Sequence, residues 1–449
     1  MFERVFKLSE HKTTVKTEVM AGITTFMTMA YILAVNPSVL GSTGMDTTAV
    51  LLATALASCL GTLCMAFMAN LPFALSAGMG LNAFMAYTVV AGYGYSWQVA
   101  LLAVFIEGLI FIVLSLTNIR EAIFNAIPLT LKKGVSVGIG LFIAFIGLQN
   151  SGLCVDSATL VGIISFPENF HTAGICALLT LIGLFFTAVF YTRKMKGAIL
   201  YGILLTWILG MLCQVTGLYV PTPDAGFYSL FPSWGMTDFS RLGLTFGQCF
   251  NVDFSAVGIV NFIVVIFSFL FVDIFDTLGT LIGVATKAKM LDKDGKLPGI
   301  KPALLADSIA TSAGAILGTS TTTTFVESAS GVAVGGRTGL TALVTGILFL
   351  VSTLFAPIFT AIPSFATAPA LIMVGFLMVG TVTEINFDLD NLTESIPAYL
   401  AIIAMPLFYS ISEGISLGVI SYVLLNVAAG KGKKVAPLMY VLAYCSYSS

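Results

Sequence analysis

From residue 19 to residue 430 the chain alternates between long apolar runs and short polar breaks. The runs are roughly 17 to 25 residues long, enough for each to cross ~30 Å of hydrocarbon as a helix. Fourteen such segments separate by their polar breaks, which predicts an all-α polytopic membrane protein. Two segments break the helical pattern. Segment three, LPFALSAGMGLNAFMAY (71–87), contains Pro72, Gly78 and Gly80. Segment ten, GTSTTTTFVESASGVAVGG (318–336), opens on six hydroxyl residues, Thr319 to Thr324, a composition that favours strand over helix, and turns helix-like near Val326. Both are expected to be part extended strand and part helix. Non-helical backbone at membrane depth survives only where it is packed in protein or lines a wet cavity. An extended half followed by a half-helix aims N–H groups and a positive dipole end at mid-membrane, where an acceptor atom binds. Close helix packing is the plain alternative for Ser, Thr and Gly here, but six hydroxyls in a row exceed what packing needs.

Charge placement supports the fourteen-segment reading. With a cytoplasmic N-terminus, every second loop faces the cytoplasm, and of the 20 Lys and Arg residues only Arg241 falls outside those loops. Fourteen also suggests a doubled unit of seven. LLATALASCLG (51–61) lies on LLADSIATSAG (304–314) without a gap, matching Ala57 to Ala310 and Gly61 to Gly314. That places segment two on nine and three on ten. Seven is odd, so the halves are inverted in the membrane, a secondary-transporter design with the site at the repeat interface. The expected organisation is a cytoplasmic amphipathic segment (1–18), a first repeat (19–218), an extracytoplasmic loop (219–254), a second repeat (255–430) and a C-terminal tail (431–449).

Composition agrees. Of 449 residues 57% are apolar and 9% charged, and mean hydropathy is +1.00, against about a quarter charged in a soluble domain. A net charge of −2 suggests no nucleic-acid partner. The seven cysteines are scattered, without metal-ligand spacing, and the two histidines, His11 and His171, lie outside the apolar runs. No metal and no cofactor is therefore expected. No HExxH, GxSxG or Walker loop is present, so the chain reads as a gradient-driven transporter and not an enzyme. An ion channel is the rival class, but nothing in the sequence supplies a conducting ring.

The chemistry concentrates in three acids. Asp273 and Asp276 sit mid-way along segment eight, three residues apart and so on one helical face. Glu327 follows the hydroxyl run of segment ten. An acid at mid-span costs at least ~2.5–3.5 kcal/mol, which marks these residues as functional. A buried structural network is the alternative. Asp307 reads as an interfacial cap or a network member. Glu107 stands alone in an apolar run without an assigned role, and the cluster Glu384, Asp388, Asp390 and Glu394 reads as solvated.

At this point the residues carry a resemblance. AGITTFMTMAYILAVNP (21–37), GMGLNAFMA (78–86), FVDIFDTLGTLIGVAT (271–286), LLADS (304–308), GTSTTTTFVESASGVAVGGRTGLTA (318–342) and TAPALIMVG (367–375) resemble the AzgA-type purine permeases of the nucleobase–cation symporter-2 family. The resemblance runs from residue 1 to about 440. Chains of this kind usually continue into a further apolar stretch after 431–434, whereas PLMYVLAYCSYSS here turns polar. The resemblance implies a core domain of segments 1–4 and 8–11 and a gate domain of segments 5–7 and 12–14. It implies proton-driven import of purine nucleobases across the plasma membrane (of the bacterial inner-membrane type), with guanine and hypoxanthine favoured, adenine next and uracil or xanthine less so. Its partners would be a purine base, protons and membrane lipid, and a homodimer is compatible with it. By motif position Asn82, Asp273, Asp276 and Glu327 are similar to the family's substrate and coupling residues.

A neutral purine presents ring N–H donors and ring-nitrogen or carbonyl acceptors. A carboxylate suits adjacent donors, half-helix N–H groups suit an acceptor, and Phe325 or Phe26 suits the ring face. An acid withdrawn from water favours its neutral form, so Asp273, Asp276 and Glu327 are the candidates to carry the coupled proton.

Overall fold

The computed structural model describes residues 2–117, 127–157, 160–222, 226–232, 235–253, 257–287, 290, 297–388, 391–440 and 443. The expected boundary at 254/255, Asp390 and the tail beyond 443 lie outside the described residues.

A short helix α1 (Phe2–Phe6) precedes α2 (Val15–Met29), which Thr14 caps by accepting the Thr17 N–H. The amphipathic segment expected over 1–18 is thus not one surface element. Its last residues already belong to α2, and Glu18 is wholly buried. A one-turn break at Ala30–Tyr31 separates α2 from α3 (Ile32–Gly41). Asp46 caps α4 (Thr47–Cys64), which ends in a π-turn over Met65–Ala69. Strand β1 (Leu75–Ala77) leads through Gly78 into α5 (Met79–Ala83) and a π-helical continuation to Gly92. Then come α6 (Trp97–Leu116), α7 (Leu129–Asn150), a hairpin of β2 (Cys154–Ser157) and β3 (Leu160–Ile163), α8 (Ile175–Thr192) and α9 (Ala198–Val215). The second half holds α10 (Ile259–Lys287), α11 (Ile300–Leu317), β4 (Thr322–Thr324), α12 (Ser328–Val334), α13 (Gly339–Ser352), α14 (Ala356–Thr360), α15 (Ser364–Val379), α16 (Leu392–Leu407) and α17 (Ile411–Ala428).

Among the described residues nine helices are long and apolar enough to cross a membrane. Their outward faces carry large apolar side chains such as Leu116, Phe185, Leu212 and Phe376. In water such a belt would be an aggregation surface, and against lipid it is the expected contact. Packing sorts the helices into two groups. α2, α4, α6, α11, α12 and α13 pack on one another, and α7, α8, α9, α15, α16 and α17 pack on one another.

The two halves meet reciprocally. A methyl group added at Gly61 on α4 would lie 2.6 Å from Ala310 Cβ on α11, and one added at Gly314 on α11 would lie 3.5 Å from Ala57 Cβ on α4. The alignment of 51–61 on 304–314 equates Gly61 with Gly314 and Ala57 with Ala310, so it exchanges these two contacts, and each half offers its glycine to the other's alanine, as in a contact across a two-fold axis. The small residues let the two backbones approach closely, which is how helices associate where no water drives them together.

Candidate functional site

The centre of the first helix group is a two-stranded sheet, not a helix. β1 and β4 run antiparallel, pairing Leu75 with Thr324, Ser76 with Thr323 and Ala77 with Thr322. The ladder extends through Gly78 N–H to Thr321 O and Phe325 N–H to Ala74 O, each 3.0 Å. Helix hydroxyls cover the outer edges. Thr62 Oγ1 lies 3.0 Å from Leu75 N and 3.2 Å from its carbonyl, and Thr311 Oγ1 donates to Thr322 O at 3.0 Å. Ser328 Oγ accepts the Ala74 N–H at 3.0 Å. An unpaired backbone group in hydrocarbon costs several kcal/mol, so these hydroxyls are what allow strands at this depth. Thr319 instead joins a side-chain network, accepting from Asn36 at 3.0 Å.

The expected free N–H groups of the second half-helix are partly occupied. Those of Ser328, Ala329 and Ser330 bond to the carbonyls of Phe325, Val326 and Glu327, because a helix this short closes its first turn on itself.

The three acids reach the sheet differently. Asp276, half-buried on α10, accepts a long bond of 3.4 Å from Thr323 Oγ1 in the middle of β4. It also lies against Gly78, where a Cβ would sit 3.2 Å from Asp276 Oδ2 and 3.0 Å from Thr323 Oγ1. Any side chain at 78 would push the carboxylate off the strands. Glu327, half-buried just before α12, accepts from Tyr31 Oη at 2.7 Å. Tyr31 is the residue at the break between α2 and α3, so a gap in one helix points a phenol at the start of another. Asp276 also interacts electrostatically with both Glu327 and Asp273.

Asp273 is wholly buried and turned elsewhere. Thr277 donates to it at 2.6 Å and also lies 3.2 Å from an oxygen of Asp307 on α11, which is likewise buried. One face of α10 thus carries two acids with separate surroundings, Asp276 at the sheet and Asp273 in a Thr277–Asp307 network. Asp307 is a network member and not an interfacial cap.

Asn82, buried on α5, receives a close hydrogen bond from Ser320 Oγ. Phe325 is buried beside the strand end. Phe26 meets Phe349 edge-on, with ring centroids 5.2 Å apart. Glu107 on α6 accepts from Thr321 Oγ1 at 2.8 Å, which ties that lone acid to the same hydroxyl run. Glu384 pairs with Lys133 at 3.4 Å and Glu394 accepts from Thr130 at 3.2 Å, both away from the sheet. Among the described residues no group of three or more His, Cys, Asp and Glu side chains could hold a metal ion.

Sequence reasoning missed Tyr31, Thr277 and Ser320. Tyr31 lies 296 residues from its partner and has no local signature. It also missed Glu18, whose carboxylate accepts the backbone N–H groups of Arg337, Thr338 and Thr341 and the Thr341 hydroxyl, at 2.6 to 3.3 Å. That fixes the start of α13 against α2.

The comparisons with known proteins agree over nearly the whole chain. The permease family Xan_ur_permease matches residues 16–417. A putative permease of Methanocaldococcus jannaschii is 47% identical over 98% of this chain and 96% of its own length. The guanine/hypoxanthine permease PbuG of Bacillus subtilis is 46% identical over 97% of this chain and 96% of its own. The adenine permease AdeP of Escherichia coli is 41% identical over 99% and 94%. Among solved structures, the transmembrane domain of the cyanobacterial bicarbonate transporter BicA superposes with a TM-score of 0.63 over 90% of this chain and 97% of its own, at 16% identity. At that identity the likeness concerns the fold alone.

Proposed function

The chain belongs to the Xan_ur_permease permease family, and from that premise we propose that it is a proton-coupled importer of purine nucleobases, with guanine and hypoxanthine preferred over adenine. The observation that carries this reading is the placement of Asp276 and Glu327 around the crossed strands β1 and β4. Both acids are half-buried, so both are reachable by a solute. A carboxylate accepts from neighbouring N–H groups of a base, and Tyr31 holds Glu327 in place to do so. Relatives named for guanine/hypoxanthine and for adenine both align over nearly the whole chain, and the higher identity to PbuG, 46% against 41% for AdeP, supports the former preference.

The same proposal assigns the architecture. The fourteen segments form two inverted repeats of seven, over 19–218 and 255–430. Segments 1–4 and 8–11 are the core, and segments 5–7 and 12–14 the gate. The reciprocal Gly61–Ala310 and Ala57–Gly314 contacts and the two packing groups support this division. The N-terminus is cytoplasmic, and the membrane is the plasma membrane. Substrate contacts fall to Asn82, Asp276, Phe325 and Glu327. Neighbouring carboxyl groups share a proton more readily than they all ionise, so Asp273, Asp276 and Glu327 carry the coupled proton. Alternating access follows when the core shifts against the gate.

Uptake of labelled hypoxanthine, guanine, adenine and uracil by a cell lacking purine transport tests this. Saturable purine accumulation that rises as external pH falls and collapses with a protonophore is the expected result. Accumulation of none of the purines, or accumulation indifferent to the protonophore, removes the reading.

A further inference from the structure

A cavity of about 510 Å³ lies away from the acids, at the end of the gate helices. It is bounded by the C-terminal end of α7, the start of α8, Tyr219, residues 226–230 and the turn between α14 and α15. The orientation proposed above puts this end of the protein outside the cell. Its volume falls within the ~300–1,000 Å³ typical of small-ligand sites.

Among the described residues that line it, none carries an acidic or basic side chain, which is unusual for a mouth open to water. Gln149 and Asn150 supply amides, Tyr219 and Ser364 hydroxyls, and Tyr228 and Phe365 aromatic rings. Charged solutes lose hydration here without a counter-charge, which disfavours them. A neutral planar solute with donors and acceptors on its edge finds ring faces to stack on and amides to bond. Tyr228 is 66% exposed, so the wall it forms is open to solvent.

One lining residue links the cavity to the path inward. Asn150 donates to Tyr87 Oη at 3.0 Å. Tyr87, on the π-helical continuation of α5, meets Tyr409 edge-on at 5.9 Å, and Tyr409 in turn meets Phe142 at 5.4 Å and Phe145 at 5.9 Å. These four rings join the core's segment three to the gate at the turn before α17. Through Asn150 and Tyr87 this ring cluster ties the cavity wall to the helix that continues from α5.

We infer that this cavity is a capture site where the neutral purine base docks beside the aromatic cluster before it reaches Asp276 and Glu327. The inference rests on the proposed purine transport. It adds a second, uncharged binding site in the gate, with Gln149 and Asn150 as the edge-reading amides and Asn150 as the link to Tyr87.

Thiol protection tests it on the full-length protein in membranes. Ala361→Cys, a lining position without a polar group, is made with Cys154→Ser and Cys176→Ser, which remove the thiols on the neighbouring hairpin and in the lining, and is labelled from outside with a membrane-impermeant maleimide. The same set is then combined with Glu327→Gln, which disables the central site. Hypoxanthine at ten times its dissociation constant is expected to slow labelling about tenfold in both backgrounds. No slowing overturns the capture site. Slowing only where Glu327 is intact also overturns it, because protection then comes from a rearrangement driven by the central site. Purine uptake by the parent protein is read in parallel. Uptake intact without protection removes the capture site alone, and absence of uptake removes the function beneath it.

Discussion

The half of the site built from α4, β1 and α5 and the half built from α11, β4 and α12 share one backbone plan and differ in chemistry. Each has a helix, a three-residue strand and a short helix, and each helix covers a strand edge with a threonine hydroxyl, Thr62 in one and Thr311 in the other. Where the alignment equates Thr54 with Asp307, the first half places a hydroxyl bonded to Asn36 and the second an acid bonded to Thr277. Beyond the strands the first half presents the amide of Asn82 and the second the carboxylate of Glu327. The symmetric backbone builds a central sheet to which each half gives one strand. The asymmetric side chains give it one neutral and one acidic wall, which a solute with unlike edges can read.

Breaking the acidic wall should cost most. Glu327→Gln and Asp276→Asn each remove a charged acceptor worth ~1.5–3 kcal/mol, and each is expected to cut purine uptake about 10- to 150-fold. Membrane abundance, read on a blot, should stay unchanged, and near-normal uptake by both variants would refute the site. Gly78→Ala, which sets a methyl between Thr323 and Asp276, should lower uptake ~10-fold through overpacking of ~1–3 kcal/mol. If that variant transports normally, Asp276 does not need its place against the strands. Gly61→Val strikes the symmetric part. Thermal unfolding in detergent should show destabilisation of ~1–3 kcal/mol, and no shift would mean that the α4–α11 crossing carries no strain. Tyr31→Phe leaves the charge of Glu327 and removes only its tether, so a roughly fivefold loss of uptake is expected, from a bond of about 1 kcal/mol. An unchanged pH–uptake profile would show that Tyr31 does not tune the acid. The smallest effect belongs to Ser76→Ala, which deletes the 2.7 Å contact with Ser58 and should cost about 1 kcal/mol or less with substrate preference intact. Altered preference there would place β1 in contact with the base.

Much of this was legible in the chain because membranes penalise exceptions. Thr319–Thr324 and the acids Asp273, Asp276 and Glu327 stand out against apolar surroundings, and all of them except Asp273 sit in or beside the central sheet. Local composition also located the break at Gly78. It could not locate partners. The choice of Asp273 for Thr277 and Asp307, and of Asp276 for Thr323, depends on how α10 is rotated against α11 and β4, which spacing alone does not fix. Glu18 lies among charged N-terminal residues, and nothing in that local composition marks it as buried. Only the fold shows that helix N–H groups 319 to 323 residues away need an acceptor there.

The antiparallel pair β1–β4 imposes an order on biosynthesis. Leu75 emerges from the ribosome long before Thr324, its partner in the ladder. At ~5–20 residues per second the first strand waits roughly 10–50 s for the second. Until then its inward-facing backbone groups have no strand to pair with, so the first repeat enters the bilayer with its centre unfinished. The thiol of a Leu75→Cys variant should therefore react with a small, membrane-permeant thiol reagent in nascent chains stalled before β4, and resist it in chains extended past α12. The sheet that forms the site is thus also the last join that turns two inserted halves into one protein.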